Sequence, residues 1–266
     1  MKKVTVPQIL AMKASGVKIP VLTAYDYTLA TILSSAGLPV LLVGDSAGMV
    51  SAGFETTLPV SMRDMLYHTG SVARGAGSAL VVADMPFGSY QGGRSIAVKN
   101  AVRLLKAGAG AVKLEGGVRA AHIIKAITEM DIPVMGHIGL TPQSVHKMGG
   151  FKVQGRDKDS QKGLAADAAA VAEAGAFALV IEGVPEALAG EITAALAIPT
   201  IGIGAGSLCD GQVLVVNDML GLTAGDKTPH FVKKYLDMNS LVTGAARSFM
   251  EEVRSGAFPA KEHTYK

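Results

Sequence analysis

The chain has 266 residues, of which 49% are hydrophobic and 18% charged, a balance that supports a large packed core and excludes a disordered chain. Its net charge of +3 and pI ≈ 8.9 come from scattered basic residues, with no Trp and no basic stripe carrying aromatics, so nucleic acid is not an expected partner. The mean hydropathy of +0.34 is high, yet no apolar run reaches the ~20 residues of a membrane span. The excess apolarity is assigned to strands buried on both faces and to subunit interfaces, and no membrane partner is expected.

In chain order, short apolar runs alternate with longer amphipathic, Ala-rich stretches. Strands are predicted at Val21–Ala24, Val40–Val43, Leu80–Ala83, Ala111–Leu114, Val134–Gly136, Leu179–Ile181, Thr200–Ile203 and Gln212–Val216. Helices are predicted at Ser95–Ala107, Arg119–Met130, Gly163–Ala174 and Pro185–Leu196, several closed by a stop glycine such as Gly108 or Gly175. Eight strands alternating with helices are the arithmetic of a single α/β (β/α)8 (TIM) barrel spanning residues 1–266, with one or two helices appended beyond about Phe231. A doubly wound open sheet is the structural alternative, but no strand runs through G-x-G-x-x-G into a helix. Gly149–Asp159, polar and glycine-rich, reads as a loop beside a site. The single Cys209 excludes a disulfide framework and a Cys-rich metal site. The opening Met1-Lys2-Lys3 leads into no apolar signal core, so a cytoplasmic location is expected.

Five neighbouring strands run into polar or ionisable residues: Asp45-Ser46, Asp84, Lys113 with Glu115, His137, and Glu182. In a barrel these ends converge on one rim, where the active sites of the fold lie. Any one carboxylate there also fits a helix N-cap or a rim ion pair. Several around one mouth repel unless a cation or proton neutralises them. Asp45, Asp84 and Glu115 supply hard oxygen ligands that suit Mg2+, with Mn2+ open and Zn2+ less suited. A 2-oxo acid can chelate such a cation and be polarised by it. Lys113 and Glu115, two apart, share a strand face; Lys113 reads either as a partner for a substrate carboxylate or as an interior lysine paired to Asp84. Glu182, with no basic neighbour in sequence, reads as a general base or as a helix N-terminal acid. His137 reads as a substrate contact or a satisfied core histidine. The glycines of Gly202–Gly206 bring backbone N–H groups to an anion, or serve only a tight turn.

The ordered segments Thr23–Asp26, Val43–Met49 (VGDSAGM), Thr56–Met62, Ala83–Phe87, Val112–Gly117 (VKLEGG), Gly136–Val145 (GHIGLTPQSV), Gly149–Arg156, Ile201–Gly206 and Asp210–Val215 together resemble the ketopantoate hydroxymethyltransferase family over nearly the whole chain. That resemblance implies a (β/α)8 barrel transferring a hydroxymethyl group from 5,10-methylenetetrahydrofolate to 3-methyl-2-oxobutanoate. The implied product is 2-dehydropantoate, for pantothenate and coenzyme A biosynthesis, formed through a Mg2+-stabilised enolate. It further implies Asp45, Asp84 and Glu115 at Mg2+ positions and Asp45, Ser46, Asp84 and Lys113 at the 2-oxo acid. Glu182 falls on the proton acceptor, and a homodecamer is implied. The departures, Ala47 where Leu is common and Phe54-Glu55 in a turn, touch none of these residues. Competing readings are a barrel of the phosphoenolpyruvate mutase/isocitrate lyase type and a non-catalytic binder of a metal–oxo acid pair. A binder needs no base, which sets Glu182 against the second.

Overall fold

Alternation along each strand decides which side chains enter the barrel. In the computed structural model, which describes residues 3–223 and 228–265, β1 to β8 close into a parallel barrel in sequence order. They are Ile19–Thr23, Val40–Val43, Leu80–Asp84, Ala111–Glu115, Val134–Gly139, Ala178–Glu182, Thr200–Ile203 and Gly211–Leu214. Every second residue points inward. Val21, Val40, Leu42, Leu80, Val82, Ala111, Met135, Ala178, Val180 and Ile201 accordingly form one buried cluster. The N-terminal helix Val6–Ala14 plugs the lower end with Ile9, which joins that cluster. Lys13 fastens the plug through an ion pair with Asp210 at 2.8 Å and a bond to the Thr193 carbonyl at 3.0 Å.

The barrel expectation holds, with shifted boundaries. β5 extends to Gly139, because the inward alternation continues through His137 to the rim. β8 stops at Leu214, and Val216 opens the helix Val216–Leu220. The stretch Gly149–Asp159 is loop only as far as Asp157. That side chain accepts from the Asp159 and Ser160 amides and starts a helix at Lys158, five residues before the expected Gly163. Capping overrode the polar composition there.

The chain divides into two compact units, Met1–Val215 and Val216–Lys266, and all eight strands lie in the first. The second contains the helix Met238–Ser255, capped by Asp237 and closed by Gly256 in the left-handed conformation, and a 3-10 turn at Lys261–His263. Among the described residues no helix is long and apolar enough to cross a membrane.

Candidate active site

The same alternation that fills the core carries chemistry at its upper end. Leu80 and Val82 are followed inward by Asp84; Ala111 by Lys113 and Glu115; Met135 by His137; Ala178 and Val180 by Glu182. The register then sets neighbours. Asp84 lies beside Lys113, Glu115 beside His137, and Gly139 beside Glu182. Asp45 follows the upper end of β2, on the opposite side of the barrel from β6 and Glu182. The structure thus brings every expected site residue to one mouth.

Lys113 Nζ lies 3.0 Å from Asp84 Oδ1, so the interior-pair reading of this lysine is the one observed. That oxygen is buried, and no donor is aligned on it as a hydrogen bond. Asp84 Oδ2 accepts the Asp45 backbone N–H at 3.0 Å. A Cβ on Gly44 would lie 2.6 Å from Ser46 Oγ, so the glycine leaves that hydroxyl its place. Ser46 itself is 2.9 Å from the Tyr25 hydroxyl. His137 bridges two acids: Nδ1 is 3.5 Å from Glu115 Oε1 and Nε2 is 3.2 Å from Glu182 Oε2. Glu182, which has no basic neighbour in sequence, thus gains one in space. The neighbour comes from the adjacent strand, where sequence distance gives no hint of it. Glu182 is also the most open of these acids, its side chain 15% exposed against 4% for Asp84 and Glu115.

Two site residues escaped the sequence reading. Gln143, in the turn after β5, donates from Nε2 to Asp45 Oδ2 at 2.8 Å and to the Met85 carbonyl at 3.0 Å. Its backbone N–H donates to Glu115 Oε2 at 3.0 Å. Tyr90 donates its hydroxyl to Gln143 Oε1 at 2.8 Å and accepts the Glu115 N–H at 3.1 Å. Gln143 lies inside GHIGLTPQSV, so the motif contained it, but an uncharged side chain two residues into a turn gave no chemical signal by itself.

Electrostatics follow from burial. Burial, with Asp84 and Glu115 nearby, pushes the Asp45 carboxyl up to about 8. Asp84 is also raised by burial, against the opposing pull of Lys113. Burial opposes the charge on Lys113, but Asp84, Glu115 and Asp45 outweigh it and hold the ammonium above its ordinary range. Burial and Lys113 oppose an imidazolium at His137, and the close Glu115 and Glu182 carboxylates overcome them, lifting it to about 9. Tyr90 is pushed above its ordinary range, first by burial and then by Glu115, and so stays a neutral donor.

The expected metal ligands can be tested against this arrangement. Four carboxylates share the mouth with one lysine and one histidine, and a divalent hard cation suits the remaining negative charge. Among the described residues no three acid, imidazole or thiol side chains are gathered as a ready-made metal cage. Mg2+ ordinarily takes one or two carboxylates and completes its shell with water and substrate oxygens. The oxygen donors fit the ion.

Of the two uses open to the glycines after β7, the tight turn is the one observed, with Gly204 at φ +59 and Gly206 at φ +76. Just past them, the Ser207 N–H and hydroxyl both donate to Glu186 Oε1, at 2.7 and 2.9 Å. Gly206, at φ +76, leaves no room for a Cβ against the Glu186 side chain. The anion at this turn is the chain's own carboxylate.

A closed parallel barrel with an acid cluster, a paired lysine and an opposed glutamate at its C-terminal rim defines a (β/α)8 enzyme acting on a small acid. Residues 3–261 match the ketopantoate hydroxymethyltransferase family, and the chain belongs to it. It is 58% identical to a 3-methyl-2-oxobutanoate hydroxymethyltransferase of Trichlorobacter lovleyi, over 99% of each chain. To one of Geotalea daltonii it is 54% identical, again over 99% of each. Among solved structures, a phosphonopyruvate hydrolase in complex with oxalate and Mg2+ shares the fold, with a TM-score of 0.62 at 16% identity over 97% of this chain and 93% of that one.

Proposed function

We propose that the chain transfers a hydroxymethyl group from 5,10-methylenetetrahydrofolate to 3-methyl-2-oxobutanoate, giving 2-dehydropantoate for pantothenate and coenzyme A biosynthesis. The observation that carries this reading is Glu182 at the inward, more open end of β6, held by His137 and opposite the Asp45–Asp84 pair. Family membership supports the substrate assignment.

Asp45 and Asp84, with Glu115 beside them, would hold Mg2+, whose chemistry when bound is to polarise a chelated 2-oxo acid. Lys113 adds positive charge beside Asp84, and Ser46 offers a hydroxyl to the same substrate. Glu182 takes the proton from C3, so the C3–H bond breaks as charge moves toward the carbonyl. Water adds to the methylene carbon of the folate donor and both of its C–N bonds break, which releases tetrahydrofolate and leaves the carbon as an aldehyde. C3 then bonds to that carbon, and its oxygen takes up a proton to give the hydroxymethyl group. His137 keeps the Glu182 carboxylate aimed at C3, and Gln143 keeps Asp45 in place.

The decisive test is solvent deuterium exchange at C3 of 3-methyl-2-oxobutanoate with Mg2+ and no folate, followed by product formation when the folate donor is added. Exchange and product are both expected. Absence of both would sink the reading, and binding of the oxo acid without exchange would make the barrel a binder. A homodecamer in the cytoplasm belongs to the same proposal; Ile32 and Tyr67, exposed on the barrel's outer helices, support assembly, and sedimentation velocity tests it.

A further inference from the structure

We propose that the cavity of about 490 Å3 beside Glu115 seats the folate-type donor, with its aromatic arm inside and its glutamate tail over Arg119 and Lys147. This rests on the transfer reading above and assigns the second substrate a place. The cavity far exceeds the volume of a five-carbon oxo acid and falls in the range of sites for larger organic ligands.

Its inner end is formed by Glu115, Tyr90 and Gln143. Gln143 is the group that holds Asp45, so a one-carbon unit carried at this end arrives beside the oxo acid. Phe87 and Ile123 supply apolar wall, and Phe87, 50% exposed overall, gives an aromatic side chain on which a flat heteroaromatic body can stack. Arg119 and Lys147 stand at the outer part, exposed, and neither forms an ion pair among the described residues. His122 and His146 flank them. Glu115 is the only acid among the lining residues, and it is buried.

The cavity therefore runs from a buried carboxylate to an open cationic rim past an exposed aromatic ring. A folate one-carbon donor has the complementary order: an electrophilic end, a flat aromatic middle and a carboxylate tail. Isolated surface cations are ordinarily only solvated. Two unpaired ones at the mouth of a recess that ends on the site's own Glu115 and Gln143 have a ligand-directed arrangement.

The test compares steady-state transfer by wild type, Arg119→Glu, Lys147→Glu and the charge-conserving Arg119→Lys and Lys147→Arg. Two donors are used: 5,10-methylenetetrahydrofolate and the analogous tetrahydropteroate, which lacks glutamate. The Glu variants should raise the KM for the folate donor about tenfold or more relative to the KM for the oxo acid. They should change the KM for the pteroate donor far less, and the conservative variants should stay close to wild type. A folate KM that moves less than about twofold, or moves equally for both donors, overturns the placement. A wild type that exchanges the C3 proton but forms no product with folate overturns the transfer reading and the placement together. That failure is distinguishable because it occurs without any substitution.

Discussion

The Gln143 side-chain amide holds Asp45 Oδ2 at 2.8 Å from 98 positions further along the chain. Its other N–H, its carbonyl and its backbone N–H are spent on Met85, Tyr90 and Glu115. Such partners orient a ligating carboxylate without touching the ion. Gln143→Leu strands Asp45, Met85 and Tyr90 while the backbone bond to Glu115 remains, and the affinity for Mg2+ should fall by about 10- to 100-fold. The Mg2+ dependence of C3 exchange measures it, and an unchanged half-saturation point would remove the orienting role.

Glu182→Gln keeps the shape and loses the base. Exchange at C3 should drop by about 10²- to 10⁴-fold. Oxo acid affinity, read by calorimetry, should stay within a few-fold. Comparable exchange in the variant would move the base elsewhere in the mouth.

Removing Lys113 tests the electrostatics. Lys113→Met leaves Asp84 buried without its ion-pair partner, and breaking such a pair costs about 3–5 kcal/mol of stability. Urea denaturation at neutral pH without metal checks this figure. A loss below about 1 kcal/mol would mean that the acids are already neutralised by protons.

The raised Asp45 carboxyl gives a pH dependence with a definite sign. Its folded value, about 8, lies above the ordinary 3.8, so between these values the folded protein holds a proton the unfolded chain has released. Metal-free stability contributed by this group is full below about 3.8 and declines as pH rises toward 8. Mg2+ must displace that proton, so its apparent affinity should weaken by up to about tenfold per pH unit below 8. The rise in Tm on adding Mg2+ should accordingly be larger at pH 8.5 than at pH 6; the reverse order would contradict a protonated Asp45.

Much of this was legible before the structure, and the reason is periodicity. Strand-end residues at inward parity, such as Asp84, Lys113, Glu115 and Glu182, are found by counting in twos from an apolar run. The Lys113–Asp84 pair was foreseen as one of two readings, because it follows from adjacent strands in register. The contact between His137 and Glu182 was not, since parity tells which face a residue occupies and not how far its side chain reaches around the barrel. Gln143 and Tyr90 were silent because an amide and a phenol in turns follow no period. The start of the helix at Lys158 was missed for a local reason: one Asp157 side chain, accepting two amides, outweighs a polar and glycine-rich neighbourhood.

The Glu186 carboxylate seated on Ser207 has a consequence for selectivity. The loops after the seventh and eighth strands are where many barrels of this kind grip a phosphate group. Here a fixed negative charge already satisfies the Ser207 amide and hydroxyl, so a phosphorylated metabolite meets repulsion in place of a free donor. The turn is already occupied by the chain's own carboxylate, and a phosphate group would find no free Ser207 donor there.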